Sequence, residues 1–352
     1  MKHKKTILEW LKAIFFALIV IVLFRVFCFE AFTIPSASME KSLLTGDYII
    51  VNKLSYGPRI PNTPLSFPFV HQRFGESTKS FLDWINIPYT RLFGSPDIER
   101  NDVVVFNYPM EAEEYPVDQR TYYIKRCVAI AGDSLEVKNG FVFINGKKND
   151  VPEKLQFNYK VIFSTDSVNS DSLDLLGITE GGKMNNKGEY WFTMDEQNIN
   201  DIRQIKSVVS IEPLMEKKGT YNDYMFPENE HFLWNLDNFG PLYVPKAGDS
   251  VKLSIDSLAL YERIISVYEN NTLRTSNDSI FINEKHVSHY TFKMNYYFMM
   301  GDNRHNSADS RFWGFLPEDH VVGKTVLVLM SINKSSEKGN KIRWDRWFKS
   351  VN

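Results

Sequence analysis

Tyr122-Tyr123-Ile124-Lys125-Arg126-Cys127-Val128-Ala129-Ile130 is an apolar, β-branched and aromatic run closed by the turn pair Gly132-Asp133. Such a run reads as a strand. Its neighbours read the same way. Downstream, Leu135–Val137 and Phe141–Ile144 form a hairpin pattern around Lys138-Asn139-Gly140. Upstream, Asp102–Phe106 is a strand, Asp47–Val51 is another opened by Gly46, and Ala31–Ile34 is a third that stops at Pro35. The chain is therefore expected to be mainly β. Lys125 is the anomaly in the opening run, because burying an ammonium costs several kcal/mol unless the group is paired or neutral. The ordinary alternative is an outward-facing lysine on a half-exposed strand.

The flanks are less regular. Residues 55–99 are rich in Pro, Phe and Tyr and read as an irregular excursion with one short helix near Ser80–Trp84. Residues 150–295 are more polar and are expected to form an inserted, largely β second domain. Within them Leu258–Asn270 has the spacing of an amphipathic helix. Phe281–Lys285 echoes Phe143–Lys147, and Gly248-Asp249-Ser250 echoes Gly132-Asp133-Ser134. The echoes are either an internal repeat or shared hairpin chemistry, the second being the preferred reading.

At the N-terminus, Lys2, Lys4 and Lys5 precede an apolar stretch, Trp10–Phe29, whose ~20 residues match the length of a membrane span. The leading lysines place residues 1–9 in the cytoplasm and residue 30 onward outside. A cleavable signal peptide is the rival, with Ser36-Ala37-Ser38 as its small residues. The length of the apolar run and the bulky Phe29-Glu30-Ala31-Phe32 oppose it. Residues 331–352 form a basic, aromatic tail. Trp344, Trp347, Phe348 and Val351 recur at helical spacing, flanked by Lys341, Arg343, Arg346 and Lys349. Such a helix would lie on the bilayer or dock on the protein's own core.

A net charge of -2 lacks the basic excess of a general nucleic-acid binder. Cys28 falls in the apolar span and Cys127 in the strand, which makes a disulfide between them unexpected. The seven His show no metal-binding spacing, so no metal site is expected.

Two further clusters stand out. Pro35-Ser36-Ala37-Ser38-Met39 follows the first strand, where a serine has an ordinary reading as a turn or cap residue. Gly301-Asp302-Asn303-Arg304-His305-Asn306-Ser307-Ala308-Asp309-Ser310-Arg311 is a dense polar loop between apolar Tyr296–Met300 and Phe312-Trp313-Gly314. Its density of hydrogen-bonding groups suggests a site rather than a solvated turn.

In this order, with the N-terminal span, these clusters resemble bacterial type I signal peptidases. The Pro-Ser-x-Ser-Met pattern is intact at 35–39, and the Gly-Asp-Asn-Arg-x-x-Ser-x-Asp-Ser-Arg loop is complete. The usual x-Pro-Thr-Leu continuation is replaced by Glu40-Lys41-Ser42-Leu43, and Gly-Leu-Pro-Gly-Asp reads Ala129-Ile130-Ala131-Gly132-Asp133. Arg-Gly-Asp-Val-Val-x-Phe appears with Asn101 in the glycine's place. The resemblance implies a β-sheet catalytic core at 30–149 and 296–330, anchored by a transmembrane helix at 10–29. It implies a membrane-bound serine endopeptidase with Ser38 as nucleophile and Lys125 as general base. A lysine serves as base only if desolvation lowers its pKa toward neutrality.

By the same resemblance, Ser307 orients the Lys125 amine, and Ser36 donates to the oxyanion beside the Ser38 N–H. Asp309 and Arg311 form a supporting ion pair. The substrate, the end of a signal peptide on an exported preprotein, would add as a strand beside Phe32–Ser38 and Asp118–Lys125. Ile34, Pro35, Met39, Leu43, Tyr123 and Ile124, with Phe32 deeper, would shape pockets for Ala-like residues. The expected setting is the inner membrane, single-pass, with the lipid bilayer and the protein-export translocon as partners. No cofactor is implied. A self-cleaving Ser–Lys repressor-type protease shares the chemistry but carries a DNA-binding N-terminus instead of a span. A membrane-anchored outer-face binding module would leave Lys125 and the 301–311 loop unexplained.

Overall fold

The computed structural model describes residues 2–93, 98–112, 114–150, 154–165, 173, 175–185, 187–333 and 341–351. The side chains of Lys2, Lys4 and Lys5, and residues 334–340 and 352 of the expected tail, lie outside the described part.

Helix α1 (Lys2–Phe27) contains 21 apolar-rich residues, Ile7–Phe27, enough to cross a bilayer. It stops short of the expected Phe29. Cys28 N–H closes the last helical turn on Phe24, while Cys28 O accepts from Lys53 N and turns the chain into the sheet. Phe29 opens β1 (Phe29–Thr33), which pairs with β2 (Asp47–Asn52). Then follow β3 (Val103–Asn107), β4 (Tyr122–Ala129) and the hairpin β5 (Ser134–Lys138) and β6 (Phe141–Ile144). Asn139 and Gly140 turn that hairpin with φ of 49° and 80°, conformations that Asn and Gly adopt at least cost.

The stretch expected to be one inserted domain contributes to two cores. The strands β7 (Phe157–Phe163), β8 (Gly181–Lys183), β9 (Glu189–Met194) and β10 (Val208–Pro213) form a sheet in the order β8-β9-β7-β10. It buries Val161, Phe163, Ile178, Phe192, Met194 and Ile202 among themselves. By contrast, β11 (Phe239–Tyr243) pairs with β5, and residues 225–296 share a core with Leu135, Val137, Val142 and Ile144. A hairpin this small exposes an apolar face unless another element covers it; residues 225–296 supply that cover.

The expected amphipathic segment is α2 (Ile255–Arg263), capped by Ser254 and Ser257 and continued by a wider turn, Ile264–Tyr268. Leu258, Tyr261, Ile264, Ile265 and Tyr268 are buried, as the spacing predicts. Phe281–Lys285 and Phe143–Lys147 each form the second turn of a small three-stranded meander, with Asn283 and Asn145 at positive φ.

The last strands, β12 (Tyr296–Met300), β13 (Leu316–Pro317), β14 (Val321–Ser331) and β15 (Lys349–Ser350), complete the main antiparallel sheet. Its order is β1-β2-β14-β3-β4-β12-β13, with β15 on β14. Alternation along β3 divides the sheet's two faces. Val103 and Val105 pack with Ile34, Met39, Leu43 and Ile49, whereas Val104 and Phe106 pack with Cys127, Met299 and Trp313.

Two expectations fail. No helix forms at Ser80–Trp84: Ser66 bridges to Phe81 as a strand would, and the buried Phe81 ring meets Tyr115. Nor is the tail an amphipathic helix. Trp344–Arg346 is a single 3-10 turn and Lys349–Ser350 pairs with β14, while Arg346 is drawn into the protein by Asp47. Satisfying two buried charges outweighs local helical periodicity.

Candidate active site

Ser38 sits in a 3-10 turn, Ala37–Met39, just past β1, because Pro35 ends the ladder and Ile34 N–H bonds back to Asp47 O. Lys125 lies in β4 opposite Val104. The two side chains share a hydrogen bond of 2.8 Å, Nζ to Oγ. Lys125 also donates to Ile124 O at 3.0 Å and lies over the Tyr123 ring. Its side chain is 4% exposed and forms no ion pair with any described residue. Burial pushes its pKa down to about 8, against a smaller opposing pull from Asp309 and Asp302.

The neighbour on the strand takes the opposite solution. Arg126 is equally buried but is clamped by Asp302 at 2.8 and 2.7 Å, and Asp302 also accepts from Ser42 Oγ at 2.6 Å. One cation of the pair is neutralised by a carboxylate; the other is destabilised as a cation.

The 301–311 loop is folded inward. Asp309 and Arg311 form a two-pronged pair with no exposed surface, and Asp309 also accepts from Gly301 N. Burial alone would raise the Asp309 pKa, but the Arg311 charge and these hydrogen bonds hold it below the ordinary carboxylate range. Gly301 passes so close to the serines that a Cβ there would sit 2.3 Å from Ser307 Oγ and 2.5 Å from Ser38 O. Only glycine fits that approach. Ser307 is buried beside Ser38, yet its hydroxyl makes no hydrogen bond to Lys125 in this structure. Ser36 is exposed at the lip, immediately before the Ser38 turn.

Strands β1 and β4 each keep an edge without a strand partner among the described residues. Among the described strands β1 pairs only with β2, and β4 pairs with β12 only from Arg126 onward, so Tyr122–Lys125 present a free edge. Phe32 of β1 and Tyr122 of β4 meet edge to face, ring centroids 4.9 Å apart. Of the residues expected to shape the substrate pockets, Phe32, Pro35, Tyr123 and Ile124 keep exposed surface. Met39 and Leu43 are fully buried and Ile34 nearly so; they form packing beneath the turn, not an open wall.

Sequence reasoning missed several supports of the nucleophile turn. Asn303 donates its N–H to Ser38 O at 3.1 Å and its side-chain amide to Ala37 O at 3.3 Å. Lys41 reaches Gly177 O at 2.7 Å. Arg346 grips Asp47 and Ser42 O. Asn303 was legible in principle, standing inside a loop already singled out. The distant partners carried no local signal.

Fold and site together define a class: serine peptidases of mainly β architecture that follow one apolar helix. The family model described as signal peptidase, peptidase S26, matches residues 7–216 and 244–330, and the chain belongs to this family. It is 27% identical over 338 residues to the signal peptidase I of Buchnera aphidicola subsp. Schizaphis graminum, covering 96% of this chain and 80% of that protein. It is 26% identical to signal peptidase I of Aquifex aeolicus, over 90% of this chain and 82% of that protein. The Haemophilus influenzae signal peptidase I is 26% identical, over 97% and 75% respectively.

Proposed function

We propose that this protein removes N-terminal signal peptides from exported preproteins, with Ser38 attacking the scissile carbonyl and Lys125 taking its hydroxyl proton. The observation that carries the reading is a buried lysine amine, without a carboxylate partner among the described residues, 2.8 Å from a serine hydroxyl. A neutral amine there accepts the proton; the ammonium then protonates the leaving amine. The oxyanion is met by the Ser38 N–H and the Ser36 hydroxyl at the exposed lip. Ser307 supplies the remaining polar group beside the amine and steadies its direction during proton transfer. Asp309 and Arg311 hold the loop that delivers Ser307.

The substrate adds as a strand between the free edges of β1 and β4, which offer unpaired backbone groups on both sides. Phe32, Pro35, Tyr123 and Ile124 bound its side chains, and Ile34, Met39 and Leu43 hold the floor rigid. In this reading the two strand edges stand beside the bilayer, with the N-terminus cytoplasmic and the β domain on the outer face of the inner membrane; the membrane-length helix α1 supports it. Exposed Phe67, Phe69, Trp84 and Phe93 extend that lipid contact, since Arg25 near the helix end lies 5.0 Å from the Phe69 ring. A single test decides the reaction. Wild type should cleave a preprotein and be acylated at Ser38 by a serine-directed inhibitor, and Ser38→Ala should do neither. Cleavage at an undiminished rate by Ser38→Ala would reject the assignment.

A further inference from the structure

Glu180 lies on the chain entering β8, its backbone carbonyl fixed by Thr193 N of β9, far in sequence from every residue described as reacting. Its carboxylate nevertheless reaches the polar loop at two points. Oε2 accepts from the Asn303 side-chain amide at 3.1 Å and Oε1 from the Asn306 amide at 2.8 Å. The Asn303 amide nitrogen is the same one that donates to Ala37 O, and the Asn303 backbone N–H donates to Ser38 O. The two hydrogens of one buried amide are thus divided between Glu180 and the nucleophile turn.

The carboxylate decides which way that amide points. Asn303 Oδ1 is buried without a hydrogen-bond partner among the described residues, so none of them anchors the group on its acceptor side. If the amide were turned over, its oxygen would face the Glu180 carboxylate and the Ala37 carbonyl, two acceptors. An acceptor-only Glu180 forbids that arrangement. A second contact from the same segment agrees. Gly177 O holds Lys41, two residues past Met39, in a backbone conformation with φ of 69°. Gln156 adds a third, pairing with the loop on both sides through Asp302 O and Arg304 N.

We infer that Glu180 is a positioning residue for the nucleophile: its carboxylate orients the Asn303 amide, and Asn303 fixes the Ala37 and Ser38 carbonyls that aim the Ser38 hydroxyl. The inference rests on Ser38 being the nucleophile. It gives the β7–β10 sheet a part in the reaction, as the far jaw of a clamp on the catalytic turn.

The test uses the full-length protein in detergent micelles, with active sites counted by a serine-directed acylating inhibitor. Glu180→Gln keeps the shape but leaves one acceptor oxygen where two amides donate, so its own NH2 group faces the Asn303 or the Asn306 amide. Its kcat per titrated site should fall about tenfold, with KM changed less than twofold, because the error lies in the aim of the nucleophile. Asn306→Asp alone should also slow the enzyme, by setting two carboxylates face to face. The double variant Glu180→Gln with Asn306→Asp restores a donor–acceptor match at 306 and leaves the Gln oxygen for Asn303, and should recover most of kcat. A purely structural role would lower the titrated fraction or Tm and leave kcat per site alone, and that result would overturn the inference. So would a double variant no faster than Glu180→Gln. Ser38→Ala in the same assay keeps the two readings apart: if it turns over, the nucleophile assignment fails, whatever Glu180 does.

Discussion

Between Gly301 and Arg311 the chain buries Asp302, Asn303, Arg304, Asp309, Ser310 and Arg311; between Leu54 and Phe93 it leaves Leu65, Phe67, Phe69, Phe74, Trp84 and Phe93 in the open. Each region departs from the usual division of polar outside and apolar inside, in opposite senses. The polar loop can be buried because its charges are answered: Asp309 by Arg311, Asp302 by Arg126, Arg304 partly by Gly140 O. Lys125, without an ion pair to any described carboxylate, has its pKa pushed down by burial instead. The apolar excursion has no such internal answer. Its aromatic surface is costly in water and favourable in lipid, and it stands next to a helix of membrane-spanning length. Burial of polar groups marks where geometry must be fixed; the exposed apolar groups gather beside a helix long enough to cross a membrane.

The sharpest test of the loop side is Lys125→Arg, which keeps the charge and removes the capacity to deprotonate. Turnover should fall by at least ~10³-fold in a folded protein. In wild type, kcat/KM should rise with pH through about 8, because the amine is active only after losing its proton. An active arginine variant would break the contrast drawn between Lys125 and Arg126.

Asp309→Ala should be the largest purely structural loss. It strands a fully buried Arg311, at a cost of ~3–5 kcal/mol in denaturant unfolding. A cost below ~1 kcal/mol would mean the loop is held by something other than its ion pairs. Ser307→Ala removes a buried hydroxyl next to the Ser38 turn and should lower kcat about tenfold with little change in KM. A change confined to KM would make it a substrate contact instead.

The smallest effect on the fold belongs to the excursion. Phe69→Ser, Trp84→Ser and Phe93→Ser should each cost under ~0.5 kcal/mol in stability, as exposed sites do. A form lacking α1 and carrying them should lose binding to liposomes. Unchanged liposome binding would end the comparison on that side.

Much of this was legible from residue order. Tyr122–Ala129, Asp47–Asn52 and the 134–144 hairpin follow from alternation and from Asn139-Gly140, signals that act over a few residues. Lys125 and the polar loop stood out as locally out of place, whereas Ser38 reads as an ordinary turn residue until the resemblance to signal peptidases singles it out. What stayed hidden depends on partners far along the chain. The tail failed because the periodicity of Trp344, Trp347 and Phe348 competes with an Arg346–Asp47 pair that no local pattern announces. The division of 150–295 between two cores was hidden for the same reason: β11 covers a hairpin some hundred residues before it. Glu180 is an ordinary carboxylate until the fold brings it to Asn303.

The Arg346–Asp47 pair also sets an order of events in time. The turn carrying Ser38 is held by residues 303 and 346, and its sheet is completed by β14, which stands between β2 and β3. At about 5–20 residues per second of synthesis, Ser38 is made many seconds before the groups that aim it. A growing chain therefore carries its serine in an unshaped segment, and the protease comes into being only when residues near 346 have been made and have folded back.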